Sequence, residues 1–193
     1  MDSTKRHYRL KGIDMKGMEM IFDMIRFADE KHKGQIRKGS GLDYFSHPMV
    51  GAFLLTIFKK SKHIAELICA FIGHDLLEDT DTTFIELATR FTPLVASLIQ
   101  ELTSNQAEID ELGKNEYFKI KLVGLSNYGL LLKLIDRLYN VSDQPKNQYM
   151  VDTLQLTAHL KRKRKLTRTH KAIIEDIEFI CSSKLTERKP AGP

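Results

Sequence analysis

Between Ile64 and Thr82 a buried helix face runs straight into a cluster of charged groups, and few folds can accommodate that junction. Ile64, Leu67, Ile68, Phe71 and Ile72 recur at helical spacing and mark an apolar face. At its C-terminal end stands His74-Asp75-Leu76-Leu77-Glu78-Asp79-Thr80-Asp81-Thr82. Such groups are costly to bury unless they bind something. Leu76 and Leu77 carry the apolar pattern through the cluster, so the segment reads as the lining of a pocket and not as a surface loop. Acidic side chains at a helix C-terminus also oppose the helix dipole, which makes a merely solvated helix end the poorer explanation.

On a helix continuing through the cluster, His74 and Asp75 point about 100° apart and can share one ion if another element supplies further ligands. Glu78 lies one turn along over the same site, and Asp79 falls near the fraying end. Two candidates for the remaining ligands stand elsewhere. His47 sits in Asp43-Tyr44-Phe45-Ser46-His47-Pro48, where Ser46 is expected to cap, and Pro48 to sit in the first turn of, a helix running to about Lys59. Asp136 sits in the apolar helix Leu130–Asn140, for which Ser126 is the expected cap. A carboxylate inside that pattern needs a partner, and Arg137, one step round the helix, points away from it. Taken singly, His47 and Asp136 are ordinary structural residues; combined with His74 and Asp75 they point to a metal site. Two histidines and two aspartates form a borderline-to-hard ligand set suited to Mn²⁺, Fe²⁺ or Zn²⁺, unlike a thiolate site. An ion in such a site lowers the pKa of water from about 15.7 towards 7 and polarises a phosphoryl oxygen. Glu78 and Asp79 can orient that water or move protons, a contribution of typically ~10²–10⁴-fold. Arg37 and Lys38 supply cations for phosphate, and Arg37 can also stack on a base. Together these residues make the toolkit of a phosphohydrolase.

Three blocks, Arg37-Lys38-Gly39 with Tyr44 and His47-Pro48, then His74 to Thr82, then Leu132 to Asn140, resemble the hydrolase domain of the RelA/SpoT homologues. These are HD-superfamily enzymes that remove the 3′-pyrophosphate from guanosine tetra- and pentaphosphate. The resemblance covers Phe27 to Val141 strongly and the last helices weakly, with the blocks in the family's order. It implies an all-α, single HD-domain helical bundle. It implies His47, His74, Asp75 and Asp136 as metal ligands, with Mn²⁺ as the cofactor. Glu78 and Asp79 match the catalytic pair of hydrolase-competent members. Arg37 and Lys38 match residues flanking the guanine, and Tyr44 and Asn140 match further substrate contacts. His32 fits the family's Lys-His-x-x-Gln-x-Arg-Lys pattern as a supporting residue, and Tyr139 resembles the small animal hydrolases. The chain departs from the pattern at Gly41-Leu42-Asp43-Tyr44, which lacks the usual proline, and at Val141-Ser142, where a basic residue is common. The products implied are GDP or GTP and pyrophosphate. Alternatives are removal of the 2′-phosphate of NADPH, hydrolysis of adenosine alarmones, or a nucleotide-sensing or nucleic-acid-binding module with an idle site; the intact Glu78 and Asp79 argue against idleness.

A length of 193 residues suits one domain with a real core. The division expected is an N-terminal segment over 1–16, the HD domain over 17–182 and a flexible basic tail over 183–193. Nearly every segment reads as helix. Ile21, Phe22, Ile25 and Ala28 mark the first; Thr83 with Glu86 forms a capping box for a helix to Phe91; Thr92-Pro93 starts another to Leu102. Residues 103–113 read as a polar connection, followed by helices over 114–123, 127–140, 149–160 and 169–182. No alternating strand pattern stands out. Much of the net charge of +5 lies in Lys161-Arg162-Lys163-Arg164-Lys165 and the tail. Such runs are usually solvated, and no helix-turn-helix, zinc finger or RNA-binding motif supports a nucleic-acid partner. No stretch approaches the ~18 continuous apolar residues of a membrane span, and no signal core follows Met1. Cys69 and Cys181 do not form a disulfide framework, so a reducing cytoplasm is the expected location.

Overall fold

The computed structural model describes residues 13–37 and 41–188, and every structural statement below concerns those residues. They form helices α1 (Met15–Lys31), α2 (Ser46–Phe58), α3 (Ile64–Ile72), α4 (Leu76–Asp79), α5 (Phe84–Arg90), α6 (Pro93–Leu102), α7 (Gln106–Leu112), α8 (Lys114–Gly124), α9 (Asn127–Ser142), α10 (Asn147–Lys163) and α11 (Arg168–Glu187). The architecture is all-α, with one isolated antiparallel bridge between Ile36 and Asp43 that pins the loop before α2.

The bundle is built around α3. Of its nine residues only Glu66 escapes burial, and it packs against α1, α2 and α6. Each buried Leu, Ile or Phe there contributes about 1.5–3 kcal/mol of hydrophobic stabilisation. The second organising helix is α9, whose Leu130, Leu131, Leu132, Leu134, Ile135, Leu138 and Val141 are buried against α2, α6 and α11. Its C-terminus is held by Lys184 of α11, whose Nζ donates to the carbonyls of Val141, Ser142 and Asp143 at 2.9, 2.7 and 2.8 Å. A cation there satisfies carbonyls that the helix leaves unpaired and complements its dipole. Arg164 clamps the α8–α9 turn, donating to the carbonyls of Leu122, Val123 and Leu125. The basic run is therefore partly structural, with Arg164 turned inward and Lys161 paired with Glu178.

Several local expectations are corrected. The apolar helix does not continue through the charged cluster: α3 stops at Ile72, Gly73 closes it with its N–H on the Cys69 carbonyl, and α4 restarts at Leu76. His74 and Asp75 occupy the turn between the two. Ser46 does not cap α2; Phe45 holds the N-cap position with no side-chain bond, and the Ser46 hydroxyl donates to the Asp43 carbonyl. Thr83 does cap α5 through the Glu86 N–H, but Glu86 turns to Lys31 and closes no reciprocal box. Residues 103–113 are not simply a connection, because Asn105 caps α7 through the N–H groups of Ala107 and Glu108. No residue of α7 is buried, so apolar periodicity had nothing to detect. The last helix runs on to Glu187, past residue 182, and the first begins at Met15. Both cysteines are buried and free. No described helix is long and apolar enough to cross a membrane.

One close approach positions the site. α2 crosses α3 at Gly51, where a Cβ would lie 2.1 Å from the Phe71 ring. The absence of a side chain lets the start of α2 reach the end of α3. Gly51→Ala is expected to cost about 1–3 kcal/mol through overpacking, read as a lowered midpoint in urea unfolding at unchanged slope.

Candidate active site

Two helix boundaries, the start of α2 and the end of α3, meet the interior of α9. His47 is the second residue of α2, His74 follows the Gly73 stop, and Asp136 faces both from α9. Ligand atoms of His47, His74 and Asp136 all lie within 4.8 Å of one another. His47 Nε2 is 3.3 Å from Asp136 Oδ1. His74 Nε2 is 3.2 Å from Asp75 Oδ2 and 3.9 Å from Asp136 Oδ1. Asp75, outside the tightest group, adjoins it through His74 and accepts a hydrogen bond from the Tyr44 hydroxyl.

The two imidazoles are oriented differently. His74 Nδ1 donates to the Phe71 carbonyl at 2.7 Å, which fixes the tautomer and turns Nε2 towards the carboxylates. His47 has no such anchor, its Nδ1 being buried without a partner. Its ring is held by packing instead, with the Tyr139 ring centroid 4.6 Å away and that of Phe71 6.4 Å away.

Burial and charge set the protonation states. Burial opposes charging at both histidines; it wins at His47, whose pKa falls, whereas the Asp75 carboxylate outweighs it at His74, whose pKa rises. Burial would raise Asp136, but the Lys133 ammonium and the His47 hydrogen bond overcome it and hold the carboxyl well below its usual range. Asp75 is likewise held low against its burial, chiefly by His74. Burial and the Asp75 charge keep the Tyr44 phenol protonated, in keeping with its role as donor.

The other sequence candidates surround this centre. Asn140 Nδ2 donates to Asp136 Oδ1 at 2.7 Å, the two standing one turn apart on the same helix face. Arg37 donates to Asn140 at 2.7 Å and to Asp143 at 3.1 Å, its guanidinium 4.7 Å from the Tyr139 ring centroid. Glu78 Oε1 accepts from the Ser104 N–H, which ties α4 to the end of α6. Arg37, Glu78, Asp136 and Asn140 line one cavity of about 450 Å³. The Asp79 carbonyl accepts from Gln35 Nε2 at 3.1 Å, while Gln35 Oε1 meets His32 Nδ1 at 2.8 Å. His32 also packs on the Tyr44 ring at 4.5 Å, a supporting position. Lys38 lies outside the described residues.

No family model matches the chain. It is 33% identical to guanosine-3′,5′-bis(diphosphate) 3′-pyrophosphohydrolase MESH1 of Danio rerio over 125 residues, 64% of this chain and 68% of that protein. With MESH1 of Homo sapiens it shares 35% over 124 residues, again 64% and 68%. The chain belongs to this pyrophosphohydrolase family. The guanosine-3′,5′-bis(diphosphate) 3′-pyrophosphohydrolase of Spiroplasma citri is 29% identical over 86% of this chain, which spans 23% of that longer protein. The fold matches the solved structure of a metazoan ortholog of SpoT that hydrolyzes ppGpp, with a TM-score of 0.67 at 21% identity over 91% of this chain and 97% of that one.

Sequence reasoning missed one residue of this centre. Lys133 is buried with its Nζ 3.4 Å from Asp136 Oδ2, and it lines the same cavity. The signal was present as a Lys three residues before an Asp within an apolar run. Burial disfavours its charge, but Asp136 and Asp75 overcome that and raise its pKa. Lys133→Met would leave Asp136 without its cation, and a loss of roughly 3 kcal/mol is expected. Urea unfolding checks this, and Asp136→Asn in the same background should recover part of the loss.

Proposed function

We propose that this chain hydrolyses the 3′-pyrophosphate of guanosine 3′,5′-bis(diphosphate) and the corresponding pentaphosphate, using a divalent cation held by His47, His74, Asp75 and Asp136. One observation carries the metal: His74 Nε2 is aimed between two carboxylates while its other nitrogen is committed to a backbone carbonyl. The Asp75 and Asp136 carboxylates crowd that nitrogen and favour positive charge there, as the raised pKa of His74 shows, and a divalent cation can take the place of the proton. The donors are nitrogen and oxygen, borderline to hard, which fits Mn²⁺ and other divalent transition ions. Such an ion supplies an acidified water and charge stabilisation at a phosphoryl oxygen.

The chain's own residues do the rest. Tyr44 holds the Asp75 carboxylate from behind, and Asn140 does the same for Asp136. Such outer partners fix ligand orientation and tune affinity. Glu78, anchored at Oε1 by Ser104, has its second oxygen available to orient a water and take its proton, with Asp79 beside it. Lys133 balances the negative charge of Asp136 and faces the cavity that the phosphates would enter. Arg37, packed against Tyr139 and steadied by Asn140 and Asp143, would stack on the base. In the reaction the water oxygen bonds to the 3′-linked phosphorus and the bond to the ribose 3′ oxygen breaks. That oxygen takes a proton, and pyrophosphate leaves whole.

Product analysis tests this directly. With guanosine 3′,5′-bis(diphosphate) and Mn²⁺, chromatography is expected to give GDP and pyrophosphate in equal amounts, and EDTA to abolish both. Glu78→Gln should cut turnover by roughly 10²–10⁴-fold while retaining the metal. Orthophosphate from NADPH with no turnover of the guanosine compound would reassign the enzyme as a 2′-phosphatase. Normal turnover by Glu78→Gln would overturn the role given to that residue.

A further inference from the structure

Arg137 is the buried charge that the site described so far leaves unexplained. It is 8% exposed, yet among the described residues it forms no ion pair, because the neighbouring Asp136 turns to Lys133 and His47. Its Nη1 donates to the Thr153 hydroxyl at 2.9 Å, and its Nε is buried with no partner. Aromatic rings flank the guanidinium, with centroids at 5.9 Å for Phe118 and 5.1 Å for Tyr149. A guanidinium stays charged at any physiological pH, and one taken out of water without a carboxylate is expensive. The geometry calls for an anion that arrives from outside.

The surroundings say where. Arg137 lines the cavity of about 450 Å³ that also holds Glu78, Lys133 and Asp136. It lines as well a smaller cavity of about 170 Å³, and Lys114, Phe118 and Tyr149 are common to both. Lys119 and Lys146 also border the smaller space, where Asp152 is the one carboxylate among the lining residues. One step round α9 thus separates two directions. Asp136 looks to α2 and the histidines, and Arg137 looks to α8 and α10. A nucleotide phosphorylated at both ends needs its second charged group matched away from the reacting one.

We propose that Arg137, supported by Lys114, forms a second phosphate subsite that binds the 5′-diphosphate of the substrate while the 3′ group is cleaved beside Asp136. This rests on the function proposed above and names the residues that make the enzyme prefer a substrate phosphorylated at both ends. An Arg fork suits phosphate oxygens, and the flanking rings hold its plane.

The test compares hydrolysis of guanosine 3′,5′-bis(diphosphate) and of guanosine 3′-diphosphate by wild type, Arg137→Gln, Arg137→Lys and Lys114→Gln, all loaded with Mn²⁺. Wild type should prefer the doubly phosphorylated compound in kcat/KM. Arg137→Gln should reduce that preference by roughly 10- to 100-fold, mainly through KM. Arg137→Lys should recover part of it, and Lys114→Gln should reduce it less. Equal losses on both compounds in Arg137→Gln, leaving the preference intact, would assign Arg137 a purely structural role and overturn the subsite. Should Arg137→Gln fail to fold, the exposed Lys114→Gln carries the test, and an unchanged preference there overturns the proposal. A wild type that turns over neither compound would refute the main functional reading instead, and a wild type indifferent to the 5′ group would refute the subsite alone.

Discussion

Two imidazoles and two carboxylates crowded into one buried space are the constraint on which the rest of the structure depends. With Asp136 and Asp75 held ionised and His47 held neutral, the centre concentrates negative charge beside buried imidazoles. The raised proton affinity of His74 relieves part of it, and Lys133 relieves another part. The ligand atoms of His47, His74 and Asp136 converge within 4.8 Å, which is where a divalent cation fits in place of that proton.

The fold exists to bring helix ends to that point. Gly73 stops α3 so that His74 and Asp75 stand in a turn, and Gly51 lets α2 approach Phe71 so that His47 arrives beside them. The buried leucines of α9 fix the register that aims Asp136 inward, and Lys184 secures the end of that helix. Each device is local, and each bears on one of the donors. Packing energy from α3 and α9 offsets the cost of assembling like charges.

Much of this was legible in the sequence. His47, His74 and Asp136 were recoverable because polar residues interrupt apolar helical patterns, and the structure brings them together. Asn140 came from the family resemblance, and it stands one turn along α9 from Asp136, to which it donates. What escaped was set by tertiary contact. The break at Gly73 could not be read from a pattern that continues through Leu76 and Leu77, and α7 has no buried face to announce it. Lys133 was masked by the surrounding leucines, since a lysine in an apolar run reads as a side chain reaching for solvent, whereas here it turns to Asp136. Arg137 was correctly read as pointing away from Asp136, but its destination between Phe118, Tyr149 and Thr153 depends on helices far along the chain.

The central claim is that one cation occupies the space between the histidines and the carboxylates. Crystals grown with Mn²⁺ and measured at the manganese absorption edge test it most directly. A single anomalous peak among His47, His74, Asp75 and Asp136 is the result expected. No peak there in crystals that still bind a guanine nucleotide, with His74 remaining hydrogen-bonded to Asp75 alone, would contradict it.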